Sequence, residues 1–543
     1  MFGFLKFDRS KGKRAYKLLK IRRKSARTNC NLRKQSMSTA TATPNSGSFM
    51  DMFLGPTPLW YKQAVIAALV LNVPAYFILG PLVTSWIILA EFIFTLAMAL
   101  KCFPLQPGGL LGLQVVAMGL TDTHHVYEEV VHGLPVILLV IFMVAGVHFL
   151  REMLFKFINK VLLGIQSRVV MNFVTVLVVA VMSAFLDALT ILAVLIALAT
   201  TFYVVYEKVI TKMGQEPGLP SSDAHIEDKH LEDLEGFRAF LRGLLMHGAV
   251  ATAIGGVCTL VGEPENIVIG NQAGWDFLTF AGKVAPATMP TLFAGLLMCF
   301  LLEKIRPFGK FFGYGAELPE NVRKVLAEEN ARIAETETDA DRLVIKIQVV
   351  VSILMIVALS LHLAEIGLIG LGVIVLASSM LGQTDEHKLG QAFVDGLPFA
   401  SLLVVFYVIV AMINDQAMFT PVMTWVLGME GGMQVFMVFL TNGLLSAISD
   451  NVFVATIYMD QITPLFEQGI LTRELYEAQS VAVVMGTGIP SMSTPNGQAA
   501  FLFLLMSGIA PRIRLGYVKM VYMAVPYFLI CTAVAGVIMY NWL

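Results

Sequence analysis

Charge is scarce in this 543-residue chain: Asp, Glu, Lys and Arg make up 14% of it, against about 25% in soluble domains. That deficit excludes a solvated globular surface over most of the length. Cysteine is scarce too. Cys30, Cys102, Cys258, Cys299 and Cys531 are scattered, without metal or redox spacing, and read as small hydrophobes in helix packing. No G-x-x-x-x-G-K-[ST] sequence occurs, so nothing points to direct ATP coupling, and the absence of H-E-x-x-H counts against an intramembrane zinc protease. No nucleophile–base pair suggests another enzyme, and no cofactor or nucleic acid is expected.

Hydrophobic residues are what the chain has, at 57%, with a mean hydropathy of +0.73. They concentrate in runs at 63–80, 84–100, 135–150, 284–302, 343–363, 397–413 and 518–540. Each approaches the roughly 20 residues that cross about 30 Å of hydrocarbon. The expectation is an all-α polytopic membrane protein seated in a lipid bilayer.

The net charge of −1 conceals an asymmetry: 13 Lys/Arg stand among the first 34 residues, against the single acid Asp8. No apolar segment follows directly, so no cleavable signal peptide is expected. The Ser/Thr/Pro/Asn-rich stretch 36–48 makes 1–52 a basic, disordered cytoplasmic extension. A lipid-touching arm or a start at Met37 is the alternative.

Basic loops stay on the cytoplasmic side. With the N-terminus inside, Lys101 returns inside after two spans, and the loop 121–133 (TDTHHVYEEVVHG), free of Lys and Arg, falls outside. Arg151, Lys156, Lys160 and Arg168 are inside, as is the loop 304–346 with its eight Lys/Arg, and as are Arg512, Arg514 and Lys519. The C-terminus then ends outside. About eleven spans and two segments that do not fully cross satisfy the pattern.

A repeat lies within it. Thr121-Asp122-x-His124 and Gly133-Leu134-Pro135 recur as Thr384-Asp385-x-His387 and Gly396-Leu397-Pro398, with 384 − 121 = 263 and 396 − 133 = 263. Ser183-Ala184-x-x-Asp187 recurs as Ser446-Ala447-x-x-Asp450, where 450 − 187 = 263. The motif at 109–113 (GLLGL) matches 367–371 (GLIGL) at 258, and Gly262-Glu263-Pro264-Glu265-Asn266 faces Ser493-Thr494-Pro495-Asn496-Gly497 at 231. The loop 121–133 is outside and its twin inside, so the copies are inverted, an arrangement that puts transport sites near the midplane. The expected organisation is 53–303 as the first repeat with flanking N-terminal helices and a cytoplasmic insert at 207–238, then 304–342 as a cytoplasmic linker, then 343–543 as the second repeat.

The stretch 169–206, roughly 38 apolar residues broken at SAFLDALT (183–190), is too long for one span and too short for two. Two half-helices with Asp187 at their tip fit it, and the twin at 434–462 would carry Asp450 in SAISDNVF. Such re-entrant hairpins survive at depth only in protein or beside a water-filled cavity. A buried carboxylate holds a proton tightly and a bound cation drives it off, so competition of H+ and Na+ at Asp187 and Asp450 couples their fluxes. Ser183, Thr190, Ser446, Ser449 and Asn451 supply neutral hard oxygens. The competing structural role is a helix-capping Asp. Broken helices at Glu263, Pro264, Glu265 and Asn266 and at Thr494, Pro495 and Asn496 are the second pair of site elements. Glu91, Asp415, His148, His247 and His362 are further intramembrane polar residues. The segment 317–342, rich in Glu, Lys and Arg, reads as a solvated helix.

The stretches AEFIFTLAMALKC (90–102), PGGLL (107–111), SAFLDALT (183–190), LHLAEIGLIGL (361–371), SDNVFVATIY (449–458) and TPNGQAAFLFLL (494–505) closely resemble NhaB-type Na+/H+ antiporters. The resemblance covers roughly residues 53 to 543. It implies an electrogenic antiporter of the bacterial inner membrane that exports Na+, with Li+ as a second candidate ion, in exchange for H+ by alternating access, serving sodium and pH homeostasis. It also implies an elevator-type homodimer and Asp187 as the critical residue. The alternative is a Na+-coupled carboxylate or anion symporter on the same scaffold. A substrate anion would be repelled by Asp187 and Asp450 where it must bind.

Overall fold

The computed structural model describes residues 49–542 apart from Asp187, 211–227 and Asp395. The expected basic arm up to residue 48, most of the insert and the first hairpin acid therefore lie outside the described residues. Of the first 63 residues, 49–63 are described. They begin with the helical turn Phe49–Met52, and Lys62 Nζ donates to the carbonyls of Met50 at 2.7 Å and Asp51 at 3.3 Å.

All regular structure among the described residues is helical. In chain order the helices that matter are α1 (Leu59–Leu79), α2 (Pro81–Ala97), α3 (Leu105–Ala117), α4 (Thr123–His132), α5 (Leu134–His148), α6 (Arg151–Gly164), α7 (Arg168–Ser183), α8 (Ala188–Ile210), α9 (Asp228–Gly256), α10 (Pro264–Ala273) and α11 (Phe277–Lys304). A solvated helix α12 (Glu320–Glu335) follows, then α13 (Asp339–Ser360), α14 (Ile366–Met380), α15 (Glu386–Phe393), α16 (Leu397–Asp415), α17 (Gly432–Ser446), α18 (Asn451–Glu467), α19 (Arg473–Gly488), α20 (Ala499–Met506) and α21 (Tyr517–Tyr540). Among the described residues, seven helices are long and apolar enough to cross a membrane, or eight if α4 and α5, bent by 52° at Gly133, form one span. The protein is a polytopic all-α membrane protein.

Local chemistry sets the helix boundaries. Asp122 accepts the amides of His124 (2.6 Å) and His125 (3.0 Å) and starts α4, and Asp385 accepts that of His387 (3.0 Å) and starts α15. Thr338 and Asp341 close a reciprocal capping box on α13. Proline opens α2 and α10 and sits in the first turn of α5 and α16, where its missing N–H costs nothing.

Burial separates periphery from centre. Phe77 and Ile78 on α1 and Val518 and Val537 on α21 are exposed apolar side chains, the surface a lipid tail covers. The second half of α9 is sealed, from Leu244 through Ile254. Helix contacts are made through small residues, as expected where lipid is as apolar as leucine. α5 lies along α14, and α3 lies along α16. α7 packs on α9, α17 on α19 and α11 on α21.

At the α5–α14 contact, a Cβ on Gly370 would come within 2.7 Å of the Met143 nitrogen, whereas one on Gly372 would meet nothing within 4 Å. Gly370→Ala is expected to cost about 1–3 kcal/mol by forcing the pair apart. It should lower the melting temperature in detergent, and Gly372→Ala should leave it equal or higher.

Candidate functional site

Each half of the chain contains two interruptions of helix in otherwise apolar surroundings. The first lies between α7 and α8. α7 ends at Ser183 and α8 starts at Ala188, and the amides of Phe185 and Leu186 turn back onto the Met182 carbonyl. Asp187 belongs to this link and lies outside the described residues. Ser183 is buried and its hydroxyl donates to the Thr252 carbonyl on α9 at 3.0 Å. Thr190 is buried in the wall of a cavity of about 220 Å³.

The counterpart is the link between α17, ending at Ser446, and α18, starting at Asn451. Asp450 occupies the cap position, half-buried, and its Oδ1 accepts the amides of Val452 at 2.9 Å and Phe453 at 3.3 Å. The capping role weighed from sequence is therefore real for Asp450. Both bonds fall on Oδ1, so Oδ2 is the oxygen that can meet a cation. Ser449 is buried and donates to the Leu445 carbonyl (2.8 Å). Ser446 Oγ, Asn451 Oδ1 and both polar atoms of Asn442 are buried without a hydrogen-bond partner.

The second interruption separates α9 from α10 and α19 from α20. Residues 257–263 connect the first pair, and Pro264, Glu265 and Asn266 form the first turn of α10. The break thus lies upstream of the proline, in keeping with proline's preference for the first helical position. A 3-10 turn (Pro490–Ser493) and residues 494–498, including Thr494, Pro495 and Asn496, connect the second pair. Asn266 Nδ2 donates to the carbonyls of Gly256 (2.9 Å) and Thr259 (2.7 Å). Gln498 Nε2 donates to the Gly488 carbonyl and the Ser491 hydroxyl, each at 3.2 Å. In both breaks the amide reaches ten residues back to the end of the preceding helix, and seven back to the turn after it.

Each break also touches a hairpin link. The Thr259 hydroxyl donates to the Ala184 carbonyl and the Thr494 hydroxyl to the Ala447 carbonyl. Gly497 has no room for a side chain, because a Cβ there would lie 2.6 Å from the carbonyl oxygens of both Ser446 and Ser491. Glu263 and Glu265 are buried. Glu265 Oε1 accepts from Asn451 Nδ2 at 3.0 Å, joining the first break to the second hairpin link. Asn496 Nδ2 donates to the Ala97 carbonyl at 3.1 Å, and its Oδ1 is buried and unpartnered.

The remaining intramembrane polar residues resolve differently. Glu91 accepts from Asn72 at 2.7 Å, which pairs it with α1. His247 is fully buried, with Nε2 3.0 Å from Glu303 Oε1 and Nδ1 2.6 Å from the Tyr527 hydroxyl, and stacks on Tyr314. Arg168 Nε closes that cluster on Glu303 Oε2 at 2.8 Å. Sequence reasoning noted His247 and missed its partners, which are remote in the chain. It also missed Glu129, one of two adjacent glutamates in the polar stretch 121–133, and Asp460, whose signal is a carboxylate inside the apolar helix α18. Asp415 caps nothing. It accepts from the Thr121 hydroxyl at 2.6 Å and lies 2.9 Å from His125 Nδ1.

Comparison with known proteins is consistent across relatives. The family model described as "Bacterial Na+/H+ antiporter B (NhaB)" matches residues 42–542. A Pseudomonas entomophila protein named Na(+)/H(+) antiporter NhaB is 51% identical over 483 residues, 89% of this chain and 96% of its own length. Proteins of the same name from Hahella chejuensis and Vibrio atlanticus are 50% and 48% identical, over 89% and 91% of this chain and 96% and 93% of theirs.

Replacing Asn266 or Gln498 by Leu leaves acceptors of a buried break unpartnered. Each replacement is expected to cost about 1–3 kcal/mol and to lower the melting temperature in detergent. Asn541→Leu, at an exposed bond within the last turn, should leave it unchanged.

Proposed function

The chain belongs to the NhaB family of bacterial Na+/H+ antiporters, and from that premise we propose that its exchange runs through the two hairpin links, with Asp450 and Asp187 as the groups that hold H+ and Na+ in turn. The protein is a secondary transporter, and the symporter alternative has no support among its relatives. One observation carries the site assignment. Beside Asp450 in the chain, the oxygens Ser446 Oγ and Asn451 Oδ1 are buried with no hydrogen-bond partner, as is Asn442 Oδ1 one turn before Ser446 on α17. Buried polar atoms are almost always satisfied. Neutral hard oxygens next to a carboxylate are what a small alkali cation uses in place of water. A proton on Asp450 and a Na+ among these oxygens exclude each other electrostatically, and alternating access then converts that exclusion into exchange.

The inverted repeat is the frame of this reading, and several pairings support it. α3 with α16 answers α14 with α5; α7 with α9 answers α17 with α19; and α10 on α18 answers α20 on α8. Ala184 and Ala447, the carbonyls tied to the two breaks, are 447 − 184 = 263 apart. On this frame α1, α2, α3, α4 with α5, α9 with α10, α11, α13, α14, α16, α19 with α20, and α21 give about eleven crossings, and α7–α8 and α17–α18 are the re-entrant hairpins.

Ion pairs support the topology, because they join segments assigned to the same side. Lys156 meets Glu337 at 2.5 Å, Arg168 meets Glu317 at 3.3 Å and Arg514 meets Glu235 at 3.1 Å, all on the proposed cytoplasmic side. Lys283 meets Glu477 at 2.6 Å and His125 meets Asp415 at 2.9 Å on the proposed outer side. The outer Asp122, exposed and holding two backbone amides, has its carboxyl pulled below the usual aspartate range by those hydrogen bonds.

The test is ΔpH dissipation in everted vesicles on adding NaCl. Asp450→Asn and Asp187→Asn should each reduce Na+-dependent proton movement to background with the protein still in the membrane. Retained movement in both variants would refute the carboxylate mechanism. Na+-driven succinate uptake by the wild type would restore the symporter.

A further inference from the structure

The exchange mechanism leaves one polar assembly unassigned. On the side that carries 121–133, Asn414 Nδ2 donates to Glu129 Oε1 at 3.0 Å and to Asp460 Oδ2 at 3.4 Å, so one amide bridges two carboxylates. Gln272 Nε2 donates to the other Asp460 oxygen at 2.8 Å. Both acids are half-buried, accessible yet recessed. Their charged neighbours are Glu128, His132 and Asp415 facing Glu129, and Glu129 itself facing Asp460.

A second, independent feature points into this cluster. The Tyr407 hydroxyl is buried and has no hydrogen-bond partner. It is fixed against the end of α4, since a Cβ on Gly133 would lie 2.2 Å from it, and it is within electrostatic reach of Asp460, Glu129 and Asp450. Depth along the helices orders these groups. Tyr407 lies eight residues before Asp415 on α16, about 12 Å deeper, and Asp460 lies ten residues beyond Asp450 on α18, about 15 Å nearer the surface. The series Asp415, then Glu129 with Asp460, then Tyr407, then Asp450 descends from the surface to the hairpin link.

We propose that Glu129 and Asp460, with the Tyr407 hydroxyl as their inner neighbour, form a second cation-binding station, which loads Na+ and H+ from the 121–133 face and passes them to Asp450. Two carboxylates held open by amide donors attract a monovalent cation, and the unpartnered hydroxyl offers the next oxygen on the way in. The station belongs to one face only. At the positions 263 residues away, Tyr407 corresponds to Val144, Asn414 to Arg151, Asp460 to Ala197 and Glu129 to Ala392. Val144 and Arg151 line the cavity of about 220 Å³ together with Thr190, Gly396 and Phe503, so that side has the space without the acids. This contrast rests on the inverted-repeat reading, whereas the acid pair with Tyr407 does not.

The experiment uses the full chain in proteoliposomes of fixed orientation, with Na+ and pH varied on one face at a time. In Asp460→Asn and Glu129→Gln, the half-saturating Na+ on the 121–133 face should rise at least about fivefold, and the pH profile on that face should shift. The opposite face should stay within about twofold. Asp460→Glu should recover most of the wild-type behaviour, and Tyr407→Phe should show the same one-sided change at smaller amplitude. Unchanged values on both faces, equal changes on both, or exchange lost in Asp460→Glu as completely as in Asp460→Asn would overturn the station. An impermeant maleimide on Asp122→Cys assigns the face independently. Labelling from the cytoplasmic side would overturn the proposed orientation, while a one-sided effect would still uphold the station.

Discussion

Inside a bilayer the backbone cannot turn to water, and that prohibition shapes the two buried helix breaks of this molecule. α9 stops at Gly256 and α19 at Gly488, each inside the protein, and the carbonyls at both ends need donors. Asn266 and Gln498 provide them from the start of the next half-helix, so each break is closed by a side chain that lies beyond it. Thr259 and Thr494 then use their hydroxyls to pin the hairpin links at Ala184 and Ala447. The breaks and the hairpin links are therefore one mechanical unit. Gly497, pressed between the carbonyls of Ser446 and Ser491, shows how closely the two backbones approach.

On that common scaffold the chemistry is uneven. The first break carries Glu263 and Glu265, the second Thr494 and Asn496, and Glu265 accepts from Asn451 across the middle. The two breaks are consequently unlike in chemistry even though their positions correspond under the proposed repeat. Farther out, carboxylates collect around Asn414, while Arg151 stands at the position 263 residues earlier, which the proposed repeat pairs with it. A symmetric fold can rock between two states of similar energy, while asymmetric charge decides from which side a cation is drawn in.

Much of this was legible in the sequence because membranes impose long, simple signals. The apolar runs at 343–363 and 518–540 became α13 and α21 with boundaries shifted by a few residues, since length against bilayer thickness decides them. SAFLDALT and SAISDNVF marked the two links because an acid in the middle of an apolar run is costly in lipid and persists only where the protein encloses it. The proline signal was less sharp. It marked the breaks, but Pro264 opens the following helix instead of sitting in the unwound turn. The His247–Glu303–Arg168 cluster and the Glu129–Asn414–Asp460 bridge were not legible. They join residues from helices distant in the chain, and nothing local to His247 or Asp460 says which partner it will meet.

At Asp450, capping and the proposed ion binding need not compete. Its Oδ1 holds the first amides of α18, and those bonds need only an acceptor oxygen, which a protonated carboxyl still offers. On the proposed mechanism, proton or Na+ is exchanged at Oδ2 with the helix start intact. A group without that cap would reorient whenever its charge changed, and the link between α17 and α18 would move with it. Fixing one oxygen to the backbone confines the chemical change to the other, so that the chemical step stays local. The motion that the proposed mechanism requires would then move link and break together, since Thr259 and Thr494 tie them, and would need no refolding of the tip.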